Sequence, residues 1–218
     1  MPWFVSATLT SAMAVAAYAA IAFVATNIDD LVILMLFFAQ VNPQFKKHHI
    51  YAGQYLGFTA LVLCSLPGFF GGLVVSKPLI GLLGFVPIVF GIRNLITSED
   101  RDEVQATSVS RRGIFKLINP QIFNVAAVRF ANGGDNIGIY IPLFASSTLT
   151  NLVIVLSVFF LLVGVWCIIS DGLAGHPTVA PILSRYSHIF VPVVLIGLGI
   201  YILIENQSWT LIWRSGVG

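Results

Sequence analysis

Six apolar runs dominate the chain, at residues 11–40, 50–75, 78–97, 120–145, 152–171 and 188–204. Each reaches or approaches the roughly 20 residues that a helix needs to cross the hydrocarbon core of a bilayer. With 57% of residues hydrophobic and 9% charged, the composition excludes a soluble domain. The expectation is an all-α integral membrane protein with six transmembrane helices in a single membrane domain. The first and fourth runs exceed the minimum, which leaves room for tilt or a local break in the helix.

Those two long runs carry the side chains that fit lipid worst. Asp29 and Asp30 lie within ATNIDDLVILMLFFA, residues 25–39, and Asp135 lies within ANGGDNIGIYIPLFA, residues 131–145. One ionised carboxylate at bilayer depth costs about 2.5–3.5 kcal/mol on insertion scales, so three ask for about 8–10 kcal/mol of compensation unless a cation binds there.

The two segments are also related to each other. Overlaid at a constant offset, Ala25 aligns with Ala131, Asp29 with Asp135, Phe38 with Phe144 and Ala39 with Ala145. Thr26, Asp29 and Asp30 then correspond to Asn132, Asp135 and Asn136. The spacing i, i+3, i+4 puts each triplet of oxygen-bearing side chains on one face of a helix. A weaker echo links Phe85-Val86-Pro87 with Phe190-Val191-Pro192, and Gly91-Ile92 with Gly199-Ile200. The chain therefore reads as repeat one (11–97), a polar linker (98–118) and repeat two (119–205). Three spans per half is an odd number, so the second half must cross the membrane inverted relative to the first. Gly133-Gly134 marks an expected break in the fourth run, where freed backbone carbonyls can serve a bound ion. Thr26 and Asn27 are milder disruptors of the first.

Basic residues set the orientation. Lys46, Lys47, Arg101, Arg111, Arg112, Lys116 and Arg185 follow runs one, three and five, whereas Lys77 and Arg214 fall on the other side. The positive-inside rule places those three loops in the cytoplasm and both termini outside. No basic residue precedes the first run, and it continues to about residue 40, so it reads as a span and not a cleaved signal. The linker and the KKHH stretch at 46–49 read as a solvated connector and a basic interfacial anchor. Cys64 and Cys167 are too far apart for a CxxC pair and read as buried thiols without redox function.

If the two polar faces meet near the midplane, Asp29, Asp30 and Asp135 supply three negative charges, with Thr26, Asn27, Asn132 and Asn136 as neutral oxygen donors. Arg129, inside the fourth run, offsets one charge as a counter-ion of the empty site, or else snorkels to the interface. A divalent cation balances the remainder, and carboxylate, amide and hydroxyl oxygens suit hard to borderline divalent ions. Intramembrane ionisable groups are functional by default, which favours a cation site over a cluster that only packs helices. Two aspartates on neighbouring helices also raise an intramembrane aspartyl protease, which needs two carboxylates sharing a proton. The chain has NGGD at 132–135 where that motif is GxGD, and lacks the Pro-Ala-Leu partner. No GxxxxGK[ST] phosphate loop is present, so the available energy source is an ion gradient, with protons competing for the metal-binding carboxylates. The sequence carries no signature of nucleic-acid binding and fixes no oligomeric state.

At ATNIDDLVILMLFFAQ, ANGGDNIGIYIPLFA, GQYLGF (53–58) and GFVPIVFGIRNLI (84–96), the chain resembles the bacterial cadmium resistance transporter (CadD-type) family of the LysE superfamily. The resemblance covers nearly the whole chain. It implies a multi-pass protein of the bacterial cytoplasmic membrane that exports Cd2+ and confers cadmium resistance, with substrate residues at Asp29, Asp30, Asp135 and their amide neighbours. It implies no resident cofactor, the divalent cation being cargo. Export of Mn2+ or of a cationic amino acid is the alternative within the superfamily.

Overall fold

The computed structural model describes residues 2–96, 119–176, 179–208 and 210. Residues 97–118, which include the linker (98–118) with Arg101, Arg111, Arg112 and Lys116, lie outside the described residues, as do Arg214 and the side chains at 2–11, 94 and 179–189, Arg185 among them. The described residues form helices and no strand: α1 (Pro2–Ala39), α2 (Lys47–Val74), α3 (Lys77–Gly81), a 3-10 turn (Leu82–Gly84), α4 (Phe85–Ile96), α5 (Pro120–Asn132), α6 (Gly134–Ala145), α7 (Leu149–Leu173) and α8 (Val179–Glu205). Three stretches are long and apolar enough to cross a bilayer, Ala12–Ala39, Lys47–Val74 and Leu149–Leu173, and Phe190–Glu205 is a shorter apolar helix. Large apolar side chains such as Leu36, Leu63, Phe70, Leu73, Leu161 and Ile168 face outward, while Asn27, Asp30, Arg129 and Asn136 are buried. Lipid rewards that inverted distribution and water penalises it.

The connections have identifiable causes. Asn42 Oδ1 accepts the amides of Gln44 and Phe45, both at 2.9 Å, closing the turn between α1 and α2. Asn119 caps α5 by accepting from the Gln121 amide at 2.9 Å, with Pro120 at the first helical position. Thr148 caps α7 through the Asn151 amide at 3.2 Å. The fourth run breaks at Gly133, whose amide closes α5 onto the carbonyls of Arg129 and Phe130. Its φ of −92° is open to any residue. A Cβ at this position would lie 2.2 Å from Cδ1 of Leu61 of α2, so a larger residue requires that side chain to turn aside. The first run, by contrast, is one continuous helix through Thr26 and Asn27. There Thr26 donates back to the Ala22 carbonyl at 3.0 Å, and the Asn27 amide donates to that of Phe23 at 2.8 Å, so neither interrupts the ladder. The third run is divided as well, by the 3-10 turn at Leu82–Gly84.

Helix pairing follows small residues. Along α2, Gly53 meets Val125, Gly57 meets Ala126 and Arg129, Gly68 meets Ile141, and Gly72 meets Ala145. The partners advance in step, so α2 runs parallel to α5 and α6 in backbone contact. In the same way Trp166 Nε1 donates to the Asn27 carbonyl at 2.8 Å and Ser170 Oγ to that of Leu31 at 3.4 Å, so α1 runs parallel to α7. The third pair is antiparallel: Gly84 lies against the Gly199 carbonyl and Gly91 against that of Pro192. Each aspartate-bearing segment thus packs chiefly on the middle helix of the other half of the chain, and α4 packs on α8. Between the α1–α7 and α2–α5–α6 groups, α1 meets α5 and α6 only briefly. Lys47 of α2 joins Asp171 of α7 at 2.8 Å, which puts the start of α2 and the end of α7 at one end of the molecule.

A Cβ at Gly72 would fall 2.1 Å from the Ala145 carbonyl oxygen, whereas one at Gly71 meets nothing within 4 Å. Gly72→Ala is expected to destabilise the protein by about 1–3 kcal/mol. Gly71→Ala should stay within about 0.5 kcal/mol of the parent. Unfolding midpoints in one detergent compare the two directly.

Candidate cation site where α1 meets α5 and α6

Four buried or half-buried polar side chains of α5 and α6, Arg129, Asn132, Asn136 and Tyr140, meet the turns of α1 around Asn27 and Asp30. Asn132 Nδ2 donates to Asp30 Oδ1 at 2.9 Å. Asn136 Nδ2 lies 3.4 Å from Asn27 Oδ1. The Tyr140 hydroxyl accepts from Asn27 Nδ2 at 2.9 Å and shares a hydrogen bond with Thr26 Oγ1 at 3.2 Å. As the residue number falls along α1 from 30 to 27 to 26, that of its partner rises from 132 to 136 to 140. The two motif segments therefore cross antiparallel.

Arg129 supplies the charge at this crossing. Its guanidinium pairs with Asp30 Oδ2 at 2.5 Å and also donates to Asn27 Oδ1, so it spans one turn of α1. Both side chains of the ion pair are at least 96% buried, at 2% and 4% exposure. The guanidinium also lies 5.4 Å from the centre of the Phe58 ring. Phe23, Phe58, Tyr140, Phe159 and Trp166 pack edge-on and tilted beside the cluster.

The break at Gly133 divides one helix dipole into two. Arg129 sits in the last turn of α5 and Asp135 in the first turn of α6, each at the end whose partial charge favours it. The Asp135 carboxylate accepts the Asn136 amide at 3.0 Å.

The aspartates take different stations. Asp30 is buried, Asp29 is half-buried and Asp135 is exposed. Two of the three repeat-related pairs match, Asn136 being buried as Asp30 is and Thr26 and Asn132 both half-buried, whereas Asp29 and Asp135 differ. Adjacent helical residues diverge by about 100°, so Asp29 cannot share the direction of Asp30, nor Asp135 that of Asn136. Among the described residues no three His, Cys, Asp or Glu side chains gather into a metal-binding group. The oxygens bonded across the crossing include the Asp30 carboxylate and the neutral groups of Thr26, Asn27 and Tyr140, with the amides of Asn132 and Asn136 beside them. Cys167 is buried next to Trp166 in α7, and Cys64 is exposed on α2.

Tyr140, Trp166 and Phe58 are the partners that sequence reasoning missed. Tyr140 was accessible to it, because Arg129, Asn132, Asn136 and Tyr140 recur at three- and four-residue spacing and form a polar stripe. Trp166 and Phe58 carry no such signal, since nothing in an apolar run tells which face meets which neighbour.

Taken together, the chain is an all-helical membrane protein with a charged cluster buried between two groups of helices. The family model for cadmium resistance transporters matches residues 23–215. The chain belongs to that family of transporters, and the match spans both aspartate motifs and every helix after the first half of α1. Searches of curated proteins and of solved structures returned no match.

Tyr140→Phe removes a hydroxyl bonded to both Thr26 and Asn27 and should cost about 0.5–2 kcal/mol in stability. In a Thr26→Val background the same change should cost less, because one of its bonds is already gone. A double-mutant cycle on unfolding in detergent measures that coupling.

Proposed function

We propose that the protein exports a divalent metal cation, Cd2+ first among candidates, across the bacterial cytoplasmic membrane in exchange for protons. The antiparallel crossing of two repeat-related polar motifs, at the contact between two groups of helices, carries this reading. Carriers built from inverted repeats bind substrate at such a crossing, where one group rocks against the other. In this reading the chain crosses the membrane six times as two inverted three-helix repeats, with both termini outside. The exchange of partners between the halves and the antiparallel α4–α8 pair support it.

The cation enters between Asp30, Asn27, Thr26, Asn132 and Asn136, with Asp29 and Asp135 at the mouth of the site. Protons compete with a divalent ion for the carboxylates of the site, which give them up as the ion binds and regain them as it leaves. The donor set is entirely oxygen among the converging residues, and this favours Mn2+ as the second candidate, since a softer ion gains from thiolate. A protease reading needs two carboxylates sharing a proton, whereas Asp30 is paired with a guanidinium.

Asp29→Asn, Asp30→Asn and Asp135→Asn should each abolish metal tolerance in a sensitive host while the protein still reaches the membrane. Wild-type tolerance in any of them removes that residue from the site. Metal-dependent proton flux in proteoliposomes, compared across Cd2+, Mn2+, Zn2+ and lysine, identifies the cargo and the coupling ion.

A further inference from the structure

We infer that Arg129 is the carrier's internal substitute for its cargo, occupying Asp30 and Asn27 whenever no metal is bound and thereby allowing the metal-free, proton-carrying form to reorient. The inference rests on the transport reading above and assigns Arg129 a positioning role within it.

Three observations lead there. The guanidinium takes the two oxygens of α1, Asp30 Oδ2 and Asn27 Oδ1, that an incoming cation requires, so cargo and Arg129 cannot hold them together. Its stem is anchored elsewhere: a Cβ at Gly57 would lie 2.7 Å from Arg129 Cβ and 2.8 Å from Cγ, so the side chain leaves α5 pressed against α2. The charged head therefore crosses from the α2–α5–α6 group to the α1–α7 group, while the stem stays with the first. Finally, Nε is buried and makes no hydrogen bond among the described residues. The pair is close but incompletely satisfied, as suits a contact that must be given up in each cycle.

The consequence separates two modes of transport. When metal rides in both directions, Asp30 is always compensated by cargo. When metal leaves and the carrier returns with protons on its other carboxylates, Arg129 compensates Asp30 in place of the cargo. Losing Arg129 should therefore impair net export far more than metal-for-metal exchange.

The test uses full-length protein in proteoliposomes loaded with labelled Cd2+, at one fixed pH. Efflux is measured into metal-free buffer and into buffer containing unlabelled Cd2+. In Arg129→Gln, net efflux should fall by about a hundredfold relative to exchange, equivalent to about 3 kcal/mol on the return step. Arg129→Lys keeps the charge at a shorter reach, and its ratio of exchange to net efflux should lie between those of wild type and Arg129→Gln. If the glutamine variant does not accumulate in the membrane, the lysine variant alone carries the comparison. A ratio unchanged from wild type in the variants that reach the membrane overturns the inference, whether both modes persist or both are lost equally. Absence of any Cd2+ flux in the wild type would instead fail the transport reading.

Discussion

An ion pair between Arg129 of α5 and Asp30 of α1, at least 96% buried on both sides, is the constraint around which the rest is arranged. Neither charge could be held alone in a medium that solvates nothing, because breaking such a pair leaves an uncompensated charge at a cost of about 3–5 kcal/mol. The surrounding features serve it. Asn132 donates to Asp30 and Asn27 accepts from Arg129, Phe58 faces the guanidinium, and the end of α5 at Gly133 supplies a negative helix terminus near Arg129. The single break in the fourth apolar run is thus an electrostatic device as well as a packing one. It also puts Asp135 at the positive end of α6.

Packing gives the pair its mechanical meaning. Glycines bring α2 into backbone contact with α5 and α6, and Trp166 and Ser170 join α7 to α1. Within each group the helices are closely held, whereas the contact between α1 and the α5–α6 segment is short and mostly polar. Polar contacts inside a membrane are individually worth only about 1 kcal/mol, so a boundary made of them can re-form in a second arrangement at modest cost. Beside it the rings of Phe23, Phe58, Tyr140 and Phe159 pack across the two groups, and this apolar part of the boundary resists rearrangement more than the polar part. The family's activity, transport, needs such a boundary, and the cluster of motif residues lies on it.

Much of this could be read from the residues alone, and the limits have physical causes. Hydropathy located the helical runs, and the matched triplets located the polar faces, because both depend on local periodicity. Gly133-Gly134 signalled the break in the fourth run, although the close approach of Leu61 of α2 to position 133 is a contact that local sequence does not reveal. Thr26 and Asn27 pointed to a weakened first run, yet their side chains bond to carbonyls one turn back and leave α1 whole. The i, i+3, i+4 spacing put three oxygens on one face but could not say that the 100° between Asp29 and Asp30 would leave one half-buried and the other sealed against Arg129. Partner choice was the least legible property, since apolar faces of similar composition carry no label for their neighbours.

The central claim is that a divalent cation is held by oxygen donors at the crossing of α1 with α5 and α6, in place of Arg129. X-ray absorption at the cadmium edge, on purified protein loaded with one equivalent of Cd2+, reads the donor atoms directly. The account predicts a first shell of oxygen alone that disappears in Asp30→Asn. Sulfur in that shell, from Cys64 or Cys167, or an unchanged spectrum in Asp30→Asn, would contradict it.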